Sequence, residues 1–214
     1  DKYAQRSQEL AVGSQESGFF DREIVPVADH EGNEVAKDDG PRPSSTLEKL
    51  AELPEAFGGG GVTAGNSCPL NDGAAAVLVM SDARAKELGL APRARIVTAA
   101  TWGNEPEFMG VAPIGAIKKV LDRAGMKIGD VDVVELNEAF AAQVIPIMDE
   151  CDIPLDKLNT HGGAIALGHP FGMTGARIMT TLLNAMETDD HQVGLETMCV
   201  AGGQGEAMIV ERLG

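Results

Sequence analysis

The stretch Arg177-Ile178-Met179-Thr180-Thr181-Leu182-Leu183-Asn184-Ala185-Met186-Glu187 carries no charge between its first and last residues. It sits in a helix-like segment over about residues 174–186. A surface helix needs a solvated, charged face, and this one has none to offer. Burial on several sides follows, so the helix belongs between two layers of a larger fold.

The flanking sequence supplies those layers. Residues 95–100, 131–136, 195–200 and 206–212 are short apolar runs that read as strands, and 74–80 reads as a further, buried one. Helix patterns with end signals lie between them. Ser81 can cap a helix that Gly89 closes, and Pro113 suits the first position of a helix ended by Gly125. In that second helix Ile114, Ile117, Leu121 and Ala124 share one face. Strand 131–136 runs straight into Asn137-Glu138-Ala139-Phe140 and a helix that Pro146 should kink or end. The last two strands are joined by Ala201-Gly202-Gly203-Gln204-Gly205, a loop too rich in glycine to have been chosen for stability. Strand–helix alternation closed by a hairpin indicates a mixed α/β sheet.

The first 72 residues have a different texture. Residues 1–16 are helical in composition with no N-cap before them, as though the chain were entered within a helix, so truncation is the expectation. Residues 19–27 read as extended and 28–45 as a loop rich in Asp, Gly and Pro. Ser45-Thr46-Leu47-Glu48 has the spacing of a capping box, opening a short helix that ends near Leu53-Pro54, ahead of the glycines at 58–61.

Composition removes several classes of function. A formal charge of −16 repels phosphate backbones and argues against nucleic acid as a partner. Every apolar stretch is too broken to span a bilayer and no signal-peptide pattern opens the chain, so a cytoplasmic protein is expected. Cys68, Cys151 and Cys199 lack paired spacing, which supports free thiols and neither a disulfide framework nor a zinc site.

Three polar groups follow apolar strand-like runs, where α/β folds gather their site residues: Asn137, His169 and Cys199. His169 and Cys199 are flanked by glycines, which let backbone amides approach a reacting carbonyl and act as oxyanion donors. Plainer readings stand beside these. A buried cysteine is commonly an inert small hydrophobe, and an asparagine in a turn is commonly a cap. His30, His161 and His191 read as loop polar groups.

Gly65-Asn66-Ser67-Cys68-Pro69-Leu70-Asn71-Asp72-Gly73-Ala74-Ala75-Ala76, Asn137-Glu138-Ala139-Phe140, the run from Gly162 to Pro170 and the run from Cys199 to Gly205 together closely resemble the thiolase family, in family order. The resemblance covers essentially the whole chain. It implies a thiolase-like α/β fold, here the C-terminal half of a five-layered αβαβα arrangement with a mixed sheet, plus part of the loop domain. Residues 1–72 would be the remainder of the loop domain that covers the CoA site. Residues 73–92 would be a strand and helix of the N-terminal thiolase domain, and 93–214 the C-terminal domain. The motif with the acyl-accepting cysteine lies outside the chain.

For activity, the resemblance implies an acyltransferase that cleaves 3-ketoacyl-CoA to acetyl-CoA and a shortened acyl-CoA, or runs the reverse condensation. His169 matches the histidine that activates the nucleophile and helps hold the thioester oxygen. Cys199 matches the acid/base that works on the α-carbon of acetyl-CoA, and Asn137 the residue that fixes a water in the oxyanion hole. Arg42, Ser67 and Cys68 match CoA contacts, while Met109 and Phe140 match walls of the acyl pocket. Ordinary core packing for Met109 and a solvated loop charge for Arg42 are the alternatives. No cofactor is implied beyond coenzyme A as substrate and product. The implied partners are acyl-CoA, the remaining N-terminal half and further copies in a homodimer or homotetramer.

Two departures stand out. Ala201 replaces a glycine usual in the family, keeping the N–H of a second oxyanion hole but adding a methyl that could crowd or strain it. Cys68 stands where many relatives have serine, a variant that points toward a degradative role. Without the acyl acceptor the piece is expected to be inert by itself. A non-catalytic, truncated thiolase-like subunit that binds CoA or a partner is the competing reading.

Overall fold

Residues 1–214 are all described by the computed structural model. Helix α1 (Lys2–Glu16) ends at Ser17, and Gly18, at φ 77°, turns the chain into a 3-10 turn at Phe19–Arg22. Both phenylalanines of that turn are buried. The extended run expected over 19–27 is thus replaced in its first half by a turn that inserts Phe19 and Phe20 into the core. Strands β1 (Val27–Ala28) and β2 (Glu34–Val35) form a small antiparallel hairpin within the polar loop. Helix α2 (Leu47–Ala51) is capped by Thr46, which accepts from Lys49 N at 3.4 Å, so the cap falls one residue later than the Ser45 box predicts.

Residues 74–80 pair with no strand of this chain, and Leu78 and Val79 stand 76% and 67% exposed. An apolar run becomes a strand only where a second strand meets its backbone N–H and C=O groups. The sheet of this chain offers it none. Helix α3 (Asp82–Leu88) follows as expected, capped by Ser81 and closed by Gly89 at φ 66°.

The main sheet contains β3 (Ala94–Gly103), β4 (Val133–Leu136), β5 (Val193–Val200) and β6 (Gln204–Arg212), in the order β3-β6-β5-β4. β6 pairs antiparallel with both neighbours, whereas β4 and β5 run parallel. Helix α4 (Ala112–Ala124) covers one face, burying Ala116, Ile117 and Val120 against Val134, Leu136, Leu195 and Ile209. Helix α5 (Ala141–Glu150) extends this layer. It runs four residues past Pro146, because burial of Ala141, Val144 and Ile147 along one face offsets the one backbone bond that proline removes.

The other face is covered by α7 (Thr174–Thr188), whose Met179, Leu182, Ala185 and Met186 pack with Val133 and Val210. Its opposite side meets the 3-10 turn, where Asn184 Nδ2 donates to Phe19 O at 2.8 Å and Thr181 Oγ1 to Glu23 Oε2 at 3.1 Å. The uncharged stretch 178–186 therefore lies between two layers, and its Thr181 and Asn184 side chains are taken up by these bonds. A short helix α6 (Ala164–Leu167) leads into His169. No helix is long and apolar enough to cross a membrane.

Candidate active site

Strand β4 ends at Leu136, and Asn137 keeps its direction by donating its backbone N–H to Thr197 O of β5 at 3.0 Å. This continues the parallel ladder by one bond and places the asparagine side chain, fully buried, at the end of the sheet. Its Nδ2 lies 3.3 Å from His169 Nε2. On the other side of the ring, His169 Nδ1 meets Thr174 Oγ1 at 2.5 Å, at the start of α7.

The hydrogen-bond network assigns the tautomer. The Thr174 hydroxyl donates to Pro170 O at 3.0 Å, so toward the imidazole it acts as acceptor and Nδ1 carries the hydrogen. Nε2 then holds the lone pair, toward which Asn137 directs its amide. Burial, and secondly the charge of Arg177, hold the His169 imidazole below its ordinary value, so it is neutral at neutral pH. A neutral histidine with a fixed Nδ1–H and a presented Nε2 is the form a general base takes.

The loop that carries His169 is anchored by Glu138. This carboxylate is fully buried, and four donors converge on it: Tyr3 Oη at 2.7 Å, Ser7 Oγ at 2.6 Å, Asn159 Nδ2 at 2.8 Å and Ile165 N at 3.1 Å. Helix α1, the turn after β4 and helix α6 thus meet on one side chain. A Cβ at Gly163 would lie 2.3 Å from the Glu138 carboxyl carbon, so glycine is required there by close approach. Asn71 adds a last tie, accepting from His169 N at 3.0 Å.

Cys199 is 4% exposed near the end of β5, opposite Gly205 of β6. Burial is the main cause that pushes its thiol up, and the Cys68 thiolate form adds to it. Cys68 in turn donates its backbone N–H to Ala139 O at 3.0 Å, next to a bridge between Ser67 and Phe140. The two sequence strings that hold Cys68 and Asn137 are therefore docked on each other. Burial raises the Cys68 thiol as well, and Cys151, just past the end of α5, is pushed up to about 11. No thiol of this chain is an activated thiolate.

The remaining expected residues are placed unevenly. The Ser67 hydroxyl donates to Thr63 O at 2.7 Å, which commits its proton within the chain. Arg42 is exposed, with its backbone N–H bound to Gln8 Oε1 at 2.7 Å, and its loop abuts α6 through Gly40. Ala201 lies in the exposed β5–β6 turn at an ordinary negative φ, so the strain feared from its methyl is absent. The positive φ values fall on Gly202 and Gly203. Phe140 lines an apolar pocket of about 280 Å³ with Phe57, Val62 and Phe108. Met109 does not line this pocket; its neighbour Phe108 does. A larger groove of about 540 Å³ beside Trp102 and α4 involves none of the candidate residues.

Sequence reading passed over Glu138, Thr174, Arg177 and Asn71. For Glu138 a signal existed, since an acid inside an apolar strand-to-helix run must find buried partners. His161, read as a loop group, is stacked on Phe19 at 3.6 Å and links Ser14 Oγ to Asp189 Oδ2, each at 3.1 Å. This Ser–His–Asp string is a structural tie between α1 and α7, because Ser14 is only 6% exposed within its helix.

Family models decide the classification. Residues 1–83 match the model of the thiolase N-terminal domain, and residues 90–212 match that of the thiolase C-terminal domain. The chain belongs to the thiolase family. It is 49% identical over 225 aligned residues to the 3-ketoacyl-CoA thiolase of Salmonella typhimurium, covering all of this chain and 57% of that thiolase. Among solved structures it superposes on the Bacillus anthracis acetyl-CoA acetyltransferase with a TM-score of 0.95 and 44% identity, covering 55% of that chain. The human mitochondrial 3-ketoacyl-CoA thiolase matches with a TM-score of 0.92 and 37% identity, again over 55% of its length. The chain thus spans little more than half of the thiolases it matches, and its fold is the thiolase α/β fold over that span.

Proposed function

We propose that the full-length polypeptide is a thiolase acting on 3-ketoacyl-CoA, and that this chain supplies its base, its proton-exchange thiol and part of its CoA-binding surface. In this reading a cysteine from the rest of the polypeptide gives its proton to His169 Nε2 and attacks the 3-keto carbon. The bond between C2 and C3 breaks, the acyl group stays on the cysteine, and the acetyl-CoA carbanion takes a proton from Cys199. A second CoA thiol then gives its proton back to the Cys199 thiolate and attacks the thioester, releasing the shortened acyl-CoA, while His169 returns its proton to the departing cysteine sulfur. Asn137 orients the donor that meets the developing oxyanion, and the Ala201 N–H serves the second one.

The observation that carries the reading is the suspension of His169 between Asn137 and Thr174, with its lone pair on Nε2. A thiol near 8.5 is mostly protonated at neutral pH, so a neutral imidazole within reach is what makes it a nucleophile. The raised thiol of Cys199 suits an acid that must hold its proton until a carbanion forms. Because every thiol of this chain is pushed up, we expect the chain alone to be inert. The domain division follows the same logic: residues 1–72 cover the CoA site, 73–92 add a strand and helix to another sheet, and 93–214 form the C-terminal domain. The exposed apolar run at 74–80 supports that division.

The test is His169→Ala in the full-length protein, assayed by thiolysis of a 3-ketoacyl-CoA. A loss of several orders of magnitude in kcat/KM is expected. Near-normal turnover refutes the assignment.

A further inference from the structure

Residues 68–73 cross from the turn that carries Asn137 to the loop that carries His169, and they are tied at both ends. At the first, Cys68 donates its backbone N–H to Ala139 O at 3.0 Å, two residues beyond Asn137. At the second, Asn71 Oδ1 accepts from His169 N at 3.0 Å. A further close approach follows at Gly73, where a Cβ would lie 2.8 Å from Pro170 Cγ and 3.0 Å from Met173 Cε. The step from Cys68 to Asn71 reaches about 10 Å at most, even fully extended. Pro69 fixes its own φ at about −65° and restricts Cys68 before it to extended backbone. The strap is therefore short and stiff.

At its His169 end the strap fits the loop closely. Gly168 stands at φ 94°, and a Cβ there would fall 2.3 Å from Asn71 Nδ2 and 2.5 Å from Asn71 Oδ1, so the Asn71 amide fills the space that glycine leaves. Gly168 N is spent on Ala164 O at 2.8 Å, closing α6, and Pro170 has no N–H. Between Gly168 and Phe171 the remaining backbone donor is that of His169, and Asn71 takes it. A glycine permits wide rotation of the backbone, so this bond is what fixes the plane of the peptide joining Gly168 to His169. The ring is held separately, by Thr174 at Nδ1 and Asn137 at Nε2. Those two bonds orient the imidazole, and Asn71 sets where its backbone sits.

We infer that the strap 68–73 holds the His169 backbone at a fixed distance from the Asn137 turn, and that Asn71 is its positioning residue for the base. This rests on the reading of His169 as the base. Asn71 bonds the backbone of His169 and not its ring, so it acts through placement alone. Placement matters because a general base must come within about 2.6–3.2 Å of the proton it takes, and a displacement of about 1 Å can cost about 100-fold in rate. Beyond Gly73 the strap runs into residues 74–80, which pair with no strand of this chain. Within this chain its hold on the loop therefore depends on the contacts of Cys68, Asn71 and Gly73.

The experiment is steady-state thiolysis of a 3-ketoacyl-CoA by the full-length protein, comparing wild type with Asn71→Leu, Asn71→Asp and His169→Ala. Leucine keeps the shape of asparagine but accepts no hydrogen bond, whereas aspartate keeps the acceptor. Asn71→Leu should lower kcat by about 10- to 100-fold while moving KM by no more than about threefold, and Asn71→Asp should recover most of that loss. A kcat in Asn71→Leu within about twofold of wild type, a change confined to KM, or an equal loss in Asn71→Asp overturns the inference. Hydrogen exchange at the His169 amide gives a readout without turnover. The amide should be protected in wild type and Asn71→Asp and lose that protection in Asn71→Leu. Should Asn71→Leu not fold, wild type alone decides, because an unprotected His169 amide there overturns the inference. Near-normal thiolysis in His169→Ala ends the reading of the base and this inference with it, while an inactive His169→Ala beside an unimpaired Asn71→Leu ends this inference alone.

Discussion

Replacing Glu138 by glutamine changes a single heavy atom, and the network around it allows the cost to be worked out. Each carboxylate oxygen accepts one hydroxyl and one N–H: Tyr3 and Asn159 on Oε1, Ser7 and Ile165 on Oε2. A hydroxyl can rotate and accept from the new amide NH₂. An N–H cannot. Whichever way the glutamine amide faces, its NH₂ meets either Asn159 Nδ2 or Ile165 N. Asn159 cannot turn over to relieve the clash, because its Oδ1 accepts from Leu136 N at 2.8 Å and its Nδ2 donates to Leu136 O at 2.9 Å. Ile165 N belongs to the backbone of α6.

One hydrogen bond to a charged acceptor is therefore lost, about 1.5–3 kcal/mol, and one buried donor is left facing another, roughly 1–3 kcal/mol more. Burying an amide in place of a carboxylate returns part of this, so a net loss of about 2–4 kcal/mol is expected. For a chain of this size each kcal/mol is worth about 2–4 °C in Tm. Urea denaturation of Glu138→Gln beside wild type, with m values compared, measures the loss. A change under about 1 kcal/mol would mean that the four donors do not depend on the carboxylate, and that the anchoring of the His169 loop has been misread.

Stability should also depend on pH through Glu135 and Glu196. Their folded-state values, about 8, lie above the ordinary 4.5, so the folded chain holds protons that the unfolded chain has released. Their contribution is therefore greatest below about pH 4.5 and declines as pH rises to about 8; denaturation midpoints that climb across that window refute the sign. Cys199→Ala in the full-length protein should abolish α-proton exchange on acetyl-CoA while leaving acyl transfer to the enzyme partly intact. Exchange that persists removes Cys199 from its role. Because Ala201 has an ordinary φ, Ala201→Gly should leave thiolysis unchanged or slightly lower, and a gain of tenfold would show that the methyl does obstruct the thioester.

Much of the site was legible in the residue order. Asn137, His169 and Cys199 each end an apolar run, and the first two meet at 3.3 Å. The caps at Ser81, Gly89 and Gly125 were readable for the same reason, since each depends on one side chain or one φ within its own turn. Failures came both within one turn and where a distant partner decides. Thr46 displaced Ser45 as a cap, and Pro146 was carried through a helix by burial that no local rule sees. Residues 74–80 have the pattern of a strand but no neighbour to pair with.

What the residue order determined by itself was local: helix ends, strand periodicity, the uncharged helix that has to be covered, and glycine where the backbone turns left-handed. These follow from sterics and hydrogen bonds within a few residues. Only the tertiary structure could set Thr174 against the His169 ring, or gather Tyr3, Ser7, Asn159 and Ile165 onto Glu138. Those contacts join residues more than a hundred positions apart in some cases, as with Tyr3 and Glu138. A hydrogen bond or an electric field depends on distance in space, and along the chain that distance is not written until the layers pack.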